Sequence, residues 1–294
     1  MFNKMLMISE ISTSFPEMIK CIDGMRVLGT KDCLLVQNFN PKEVDEGIST
    51  YLNLKPMFDD NLKKQVEILE LQGFNVQTRR VSGNQKNAIN HIAESEACDL
   101  IVISRAKRSL LGSVILDGVT NHVINDSTIP VLLIRDPEYQ NDDPSVPQKC
   151  DLNNHVLYLT DFSENAEIAF QYVKNMVEKG VQKVTILHVQ DKSKIEPYVS
   201  ERLSEFNEKD TERMEKLKKE LLDIRAIDVD IQIPYGSPTA EAMRVIKDEE
   251  ISLVVLGSQG RGFIKEVFMG SVSHNIVRHA PTSVLLIPGK REQS

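Results

Sequence analysis

Short apolar runs alternate along the chain with longer segments that are charged and favour helix. In the second half, the apolar runs predict five strands, at residues 155–159, 184–189, 229–233, 253–256 and 283–287. Residues 199–222 and 272–279 predict helices, and Pro238 after Ser237 predicts the start of another. Strands that alternate with helices are typical of a parallel sheet covered on both faces. The pattern therefore predicts an α/β fold.

The first half of the chain repeats this pattern. Apolar runs near Met5, Leu34, Val76, Leu100 and Val131 predict five more strands. Residues 100–135 read LIVISRAKRSLLGSVILDGVTNHVINDSTIPVLLIR and match residues 253–288, which read LVVLGSQGRGFIKEVFMGSVSHNIVRHAPTSVLLIP. The apolar runs and the terminal VLLI fall in register, so the chain contains two copies of one unit.

Chain length and a polar segment that contains three prolines predict where the boundary between the two copies lies. A chain of 294 residues exceeds what one compact core usually holds. Between the copies, Pro137, Pro144 and Pro147 lie among Asn, Asp and Gln, which is typical of a polar linker. We predict a first domain at residues 1–136, a linker at 137–153 and a second domain at 154–294, each domain a Rossmann-like, five-stranded parallel sheet flanked by helices.

Charge and hydropathy narrow the class of protein. The formal net charge is −8 at pH 7, whereas proteins that bind nucleic acid or membrane surfaces usually carry an excess of Lys and Arg. No run approaches the roughly 18 apolar residues of a membrane-spanning helix, and the N-terminus lacks the pattern of a cleaved leader. We expect a cytoplasmic protein with neither nucleic acid nor membrane as a partner.

A glycine-rich segment follows the predicted strand 253–256. It reads Gly257-Ser258-Gln259-Gly260-Arg261-Gly262, and Gly270-Ser271-Val272-Ser273 then opens a predicted helix. Glycine lets backbone N–H groups approach an anion closely, and a helix N-terminus adds unpaired donors and a favourable dipole. This segment would lie at the carboxyl ends of parallel strands, where open α/β sheets bind ligands. The segment therefore predicts a phosphate site.

The spacing carries a family resemblance. Two residues separate Gly257 from Gly260, and nine separate Gly260 from Gly270, which Ser271 follows. This arrangement resembles the G-2x-G-9x-G-(S/T) signature of the ATP-binding branch of the universal stress protein family. The resemblance extends to LTDFS after the first strand of this half, to His188 and Val189, and to the closing VLLIP.

The resemblance implies a binding site for ATP or AMP, with Mg2+ as a counter-ion of the phosphates. It places Thr160, Asp161 and Val189 beside the adenine and ribose. The residues that it places around the ribose and phosphates are Gly257, Gly260, Arg261, Gly270, Ser271, Val272 and Ser273. It also implies that the two halves pack as an internal pseudo-dimer through the runs 131–134 and 284–287, and that the whole chain can form a homodimer.

Each of these residues has a plainer interpretation. Asp161 could belong to a capping box over residues 161–164, and Ser271 and Ser273 could cap a helix. Val189 could be strand core, and Arg261 could be a solvated loop residue. These alternatives stay open at the level of the sequence.

The first half departs from the signature. Ser104 stands where Gly257 is expected, Lys107 where Gly260 is, and Asp117 where Gly270 is. Gly118 replaces Ser271, and Glu10 replaces Asp161. Side chains at former glycines would crowd a phosphate path, and the Asp117 carboxylate would repel it. We expect a structural first half without nucleotide.

Three hypotheses of function remain. No GxxxxGK[ST] motif occurs, which argues against a P-loop NTPase. The leading hypothesis is a stress-response regulatory module that binds an adenine nucleotide and is not an enzyme. The alternatives are a slow ATP hydrolase or phosphotransferase, and a scaffold that binds no nucleotide.

Overall fold

The fold is given by a computed structural model that describes residues 1–9, 15–39, 48–82, 88–104, 118–135, 151–195, 203–260 and 269–289. These residues form two compact units, one on each side of the linker sequence. Each unit is an α/β layer structure with a parallel sheet, as the repeat predicts.

The first unit contains five parallel strands in the order β3-β2-β1-β4-β5. The strands are β1 (Lys4–Ser9), β2 (Asp32–Phe39), β3 (Asn75–Ser82), β4 (Leu100–Ser104) and β5 (Val131–Ile134). The helices are α1 (Phe15–Val27), α2 (Ile48–Leu71), α3 (Ala88–Ser95) and α4 (Gly118–Asp126). All five predicted strands of this half are confirmed.

The second unit repeats the sheet, in the order β12-β11-β6-β7-β9. Its strands are β6 (His155–Leu159), β7 (Lys183–Leu187), β9 (Asp228–Gln232), β11 (Leu253–Gly257) and β12 (Ser283–Ile287), with a short parallel pair formed by β8 (Gln190–Asp191) and β10 (Tyr235–Gly236). Its helices are α5 (Glu164–Lys179), α6 (Lys192–Ile195), α7 (Leu203–Ile224), α8 (Pro238–Asp248) and α9 (Ser271–His279). The predicted strands of this half are confirmed, with small shifts at their ends. The predicted helices are confirmed where the structure describes them, and residues 199–202 lie outside the described residues.

One shift affects the site. The sequence predicts a strand through Val189, but β7 ends at Leu187. The N–H of His188 donates to Gln232 O and that of Gln190 to Pro234 O, at 3.0 and 2.9 Å. The chain therefore continues as the short strand β8, and Val189 lies at the break between the two segments.

The order of strands creates a switch point in the second unit. From β6 the chain builds β7 and β9 on one side, and it then crosses over to build β11 and β12 on the other. Strand β11 pairs directly with β6, with Val255 opposite Tyr158. In open α/β sheets, the carboxyl ends of strands at such a reversal enclose the ligand crevice.

Helix α5 covers this side of the sheet and has strong signals at both ends. Ser163 caps its N-terminus through a hydrogen bond from the Ala166 N–H, and Gly180 ends it with a φ of 118°. Helix α1 is followed in the same way by Gly29, with a φ of 102°. Positive φ values favour glycine, so the two units share one helix-ending device.

The interior of the second unit holds a buried phenol. The Tyr158 hydroxyl donates to Ala166 O at 2.7 Å, and its ring lies 5.3 Å from that of Phe170. Burial raises the pKa of Tyr158, so its hydroxyl remains a donor. These contacts fix the first turn of α5 against β6. No helix among the described residues is both long and apolar enough to cross a membrane.

Candidate functional site

The turn after β6 presents Asp161 at the switch point. Thr160 is buried, and its N–H donates to Leu187 O at 3.0 Å. Asp161 Oδ1 accepts the Ser163 N–H at 3.0 Å, while Phe162 adopts a positive φ of 56°. Ser163, not Asp161, supplies the side-chain cap of α5. Asp161 is thus held by a local turn, and its second oxygen, Oδ2, points toward the glycine loop.

Residues 257–259 form hydrogen bonds with three elements: the end of β12, the start of α9 and the first turn of α5. The Ser258 N–H donates to Ile287 O at the end of β12, and Ser258 O accepts the Gly270 N–H, both at 2.8 Å. Gly257 O accepts the Ser273 hydroxyl at 2.8 Å. The loop therefore leaves β11 with its backbone already paired to β12 and to the start of α9.

Asn165, in the first turn of α5, supplies the third of these connections. Its side chain is buried, with 7% of the residue exposed. Asn165 Oδ1 accepts the Gln259 N–H at 2.8 Å, and Asn165 Nδ2 donates to Ile287 O at 3.2 Å. The sequence analysis did not identify this residue. The sequence signal for it was weak: an Asn two positions after a helix cap.

The three glycines of the signature differ in what surrounds them. A Cβ at Gly257 would lie 2.7 Å from Asn165 Oδ1, and one at Gly260 would lie 2.6 Å from Asp161 Oδ2. At Gly270, the nearest atoms would be Ser258 O and Gly260 N, at 3.7 and 3.8 Å. Those last distances are ordinary contacts, so the described residues leave room for a Cβ at Gly270.

Helix α9 begins with an open N-terminus. Gly270 is its N-cap, with an ordinary φ of −68° and no side chain to bond the first turn. In the part of the chain that the structure describes, the N–H groups of Gly260, Ser271 and Val272 have no acceptor. Ser271 is exposed and Val272 half-buried. Unpaired donors at a helix N-terminus suit an anion such as phosphate.

Val189 lies beside a buried histidine at the end of β7. His188 Nδ1 donates to Thr160 O at 2.9 Å, which fixes the backbone just before Asp161. The His188 ring lies 4.4 Å from the Phe162 ring. Val189 itself is half-buried. The structure thus places Thr160, Asp161 and Val189 at the carboxyl ends of two neighbouring strands.

Helix α7 closes this side of the site. Asp210 Oδ2 accepts a hydrogen bond from Gln190 Nε2 at 3.1 Å and lies 3.4 Å from His188 Nε2. The Arg213 guanidinium lies over the Phe162 ring at 5.2 Å. Asp210 and Arg213 both lie in one turn of α7. The sequence pattern did not single them out, because the whole helix is charged.

The structure describes all of the predicted site residues except one. Around the switch point the structure brings together Thr160, Asp161, Val189, Gly257, Gly260, Gly270, Ser271, Val272 and Ser273. Ser273 is buried, and its hydroxyl proton is donated to Gly257 O. Arg261 lies outside the described residues.

At the same end of the first unit, the described residues occupy positions that match the second-unit site. Ser104 ends β4 as Gly257 ends β11, and Thr120 is buried at the position that matches Ser273. Ser9 Oγ donates to Gln65 Oε1 of α2 at 2.6 Å. Glu10, Lys107 and Asp117 lie outside the described residues.

The groups at the switch point of the second unit are backbone N–H donors and one carboxylate, Asp161, whose Oδ2 lies beside Gly260. Among the described residues, no group of three or more His, Cys, Asp or Glu side chains could hold a metal ion.

Comparison with known proteins identifies the relatives of this chain. Universal stress protein MJ0577 of Methanocaldococcus jannaschii is 32% identical over 154 residues, which are 46% of this chain and 94% of that protein. A crystal structure of a universal stress protein from Archaeoglobus fulgidus has a TM-score of 0.73 at 20% identity, covering 97% of this chain and 98% of that one. This second likeness concerns the fold.

A universal stress protein has also been solved in complex with cAMP, and its ligand is a property of that protein. It is 17% identical, has a TM-score of 0.34, and covers 46% of this chain and 97% of its own. The model of the universal stress protein family matches this chain twice, at residues 41–135 and 153–288. Together these matches span most of both halves, and the chain belongs to the universal stress protein family.

Proposed function

We propose that the second unit binds one adenine nucleotide, ATP or AMP, at its switch point, and that the protein is a nucleotide-dependent regulator in the stress response. One observation carries the proposal. The N-cap of α9 has no side-chain cap, and a Cβ placed on Gly270 would lie 3.8 Å from Gly260 N, in a space whose nearest described atoms all belong to the backbone. Such a space suits phosphate oxygens.

Each part of the site has a role in this proposal. The N–H groups of Gly260, Ser271 and Val272 would hold phosphate, and the exposed Ser271 hydroxyl would add a donor. Ser273 would act indirectly, because it locks Gly257 against α9. Thr160, Asp161 and Val189 would line the adenine and ribose. Arg261 and Mg2+ remain proposals from the family resemblance.

The first unit is proposed to bind no nucleotide. At the position before α4 it has Asp117, where α9 is preceded by Gly270. Asp is a preferred N-cap residue, whose carboxylate accepts the N–H groups of a first helical turn. A carboxylate at that position would take the place of a phosphate and repel it.

Isothermal titration with ATP and AMP tests the proposal, with Gly270→Asp as the variant. The new carboxylate would cap α9 and occupy the phosphate space, so we expect affinity to fall about 100-fold, which corresponds to ~2.7 kcal/mol. The described residues leave room for a Cβ at this position. Gln171→Glu on the exposed face of α5 adds the same charge elsewhere and should bind normally. Unchanged affinity in Gly270→Asp would reject the site.

Hydrolysis is a separate question that labelled ATP resolves. A regulator that only binds should show no sustained turnover above buffer. Turnover that Gly260→Val abolishes would instead assign the chain to the slow hydrolases or phosphotransferases. Mass spectrometry of the ligand released from denatured protein would identify the bound nucleotide, and its absence together with no thermal shift would favour a scaffold.

The arrangement of the two halves is also a proposal, from sequence alone. We infer a pseudo-dimer, in which the matching runs 131–134 and 284–287 cover each other's exposed strand edges. Cleavage in the linker should then leave two fragments that elute together in gel filtration. Two fragments that elute separately would contradict the pseudo-dimer. A cytoplasmic location and a homodimer of the whole chain stay predictions.

A further inference from the structure

Asn165 and Gly257 occupy one space in the second unit. A Cβ added to Gly257 would lie 2.7 Å from Asn165 Oδ1 and 2.8 Å from Asn165 Cγ. Gly257 is the last residue of β11, with an extended backbone that does not itself call for glycine. The Asn165 side chain, and not the proposed phosphate space, therefore lies where a Cβ of Gly257 would be.

The hydrogen bonds of the Asn165 amide explain why it occupies that space. Its oxygen accepts the Gln259 N–H at 2.8 Å, and its nitrogen donates to Ile287 O at 3.2 Å. Ile287 O also accepts the Ser258 N–H at 2.8 Å. One side chain therefore joins α5, the loop and the end of β12, and it does so in a buried setting where unpaired polar groups are costly.

Pinning residues 257–259 decides where the next residue points. Gly260 follows directly, and its N–H is one of the donors without an acceptor in the described structure. Its α-carbon is bounded by Asp161, because a Cβ there would meet Oδ2. A change that frees the Gln259 N–H would let the loop rotate and turn the Gly260 N–H away from α9.

We propose that Asn165 is the positioning residue of the glycine loop, and that Gly257 is a glycine because Asn165 needs the space. The positioning half of this inference rests on the proposed nucleotide site. The packing half does not, since it concerns two groups of the protein. Asn165 acts through the loop backbone and does not itself touch a ligand.

A double-mutant cycle without nucleotide tests the packing half. Gly257→Ala alone should raise the equilibrium constant of unfolding about tenfold or more, as overpacking does. In an Asn165→Ala background the same Gly257→Ala change should matter less than about threefold, because both side-chain clashes are gone and only the Asn165 backbone C, at 3.2 Å, stays close. In Asn165→Leu, which keeps the bulk but not the hydrogen bonds, the full penalty should return. Additive effects in all backgrounds would overturn the inference.

Titration with ATP and with adenosine tests the positioning half. Asn165→Ala should weaken ATP binding about tenfold, yet leave adenosine binding within about twofold, because only phosphates meet the loop. Asn175→Ala, an exposed Asn on the same helix, is the control and should bind both normally. Equal losses for ATP and adenosine would mean a general structural role and overturn positioning. Failure of the unmodified protein to bind either ligand would instead overturn the proposed function, with the packing cycle still to be judged by itself.

Discussion

Asp161 and Gly260 meet across the switch point, where a Cβ on Gly260 would lie 2.6 Å from Asp161 Oδ2. The contact joins the turn after β6 to the loop after β11. Asp161 cannot move freely, because its Oδ1 accepts the Ser163 N–H. The Asp161 carboxylate therefore leaves no room for a side chain at Gly260.

Replacing Gly260 by Ala should displace the Asp161 carboxylate. We expect a loss of stability of about 1–2 kcal/mol, in the range for overpacking, and nucleotide affinity about tenfold weaker. Urea unfolding and isothermal titration measure the two effects. Adding Asp161→Ala should restore the stability but not the affinity, since Asp161 lines the proposed ribose side. A Gly260→Ala protein with full stability and affinity would contradict this account of the crevice.

Removing the Ser273 hydroxyl should loosen α9. The hydroxyl pairs with the buried Gly257 O at 2.8 Å, so Ser273→Ala should lower the free energy of unfolding by about 1–2 kcal/mol. Ser271→Ala, at an exposed position on the same turn, should change it by less than about 0.5 kcal/mol. Equal effects in chemical denaturation would show that the Ser273 bond adds no stability.

One nucleotide should bind per chain. The first unit has Ser104, Lys107 and Asp117 where the second has glycines. Asp117→Gly removes one carboxylate but leaves the other departures, so titration should still give a stoichiometry near one. A value near two, in the unmodified chain or in Asp117→Gly, would show that the first unit also binds.

Acid should destabilise the second unit through His155. Burial, and next the Lys183 ammonium, lower the pKa of His155, although Glu249 and Asp230 act in the opposite direction. Its Nδ1 donates to Glu249 O at 3.1 Å, and its Nε2 lies 2.9 Å from Thr185 Oγ1. Because the unfolded chain binds this proton more readily, stability is complete above the ordinary histidine pKa of about 6.5 and declines as pH falls below it.

The decline attributable to one proton has a slope of at most about 1.4 kcal/mol per pH unit. We expect His155→Gln to have a flatter stability profile between about pH 6.5 and 4.5, measured by urea unfolding. Exposed His279, replaced by Gln, provides the control and should leave the slope unchanged. A His155→Gln profile as steep as that of the unmodified protein would assign the decline to other groups.

The sheet and its repeat could be predicted from the sequence because buried parallel strands are continuous apolar runs. The runs around Val255 and Leu285 are unambiguous for that reason. The end of β7 could not be predicted, since Val189 is as apolar as the strand before it. The pairing of Gln190 with Tyr235 and of Asp191 with Gly236 shows that a new segment has begun.

The sequence indicated which loop to consider and not what supports that loop. Glycine spacing singled out residues 257, 260 and 270, but not which side chain crowds each glycine. Asn165 lies over 90 positions from the loop residue that it binds, and such a long-range contact has no local sequence signal. The role of Ser273 was likewise hidden, because a hydroxyl that binds ligand and one that binds a carbonyl have the same sequence pattern.

The glycines that follow α1 and α5 belong to a framework that the two units share. Gly29 and Gly180 end equivalent helices with the same left-handed backbone, and Thr120 and Ser273 occupy equivalent buried positions. The scaffold is thus present twice in one polypeptide, whereas the glycine spacing of the loop occurs in one copy. The first unit is an internal reference: the same substitution made at paired positions separates what a residue does for the framework from what it does for the loop.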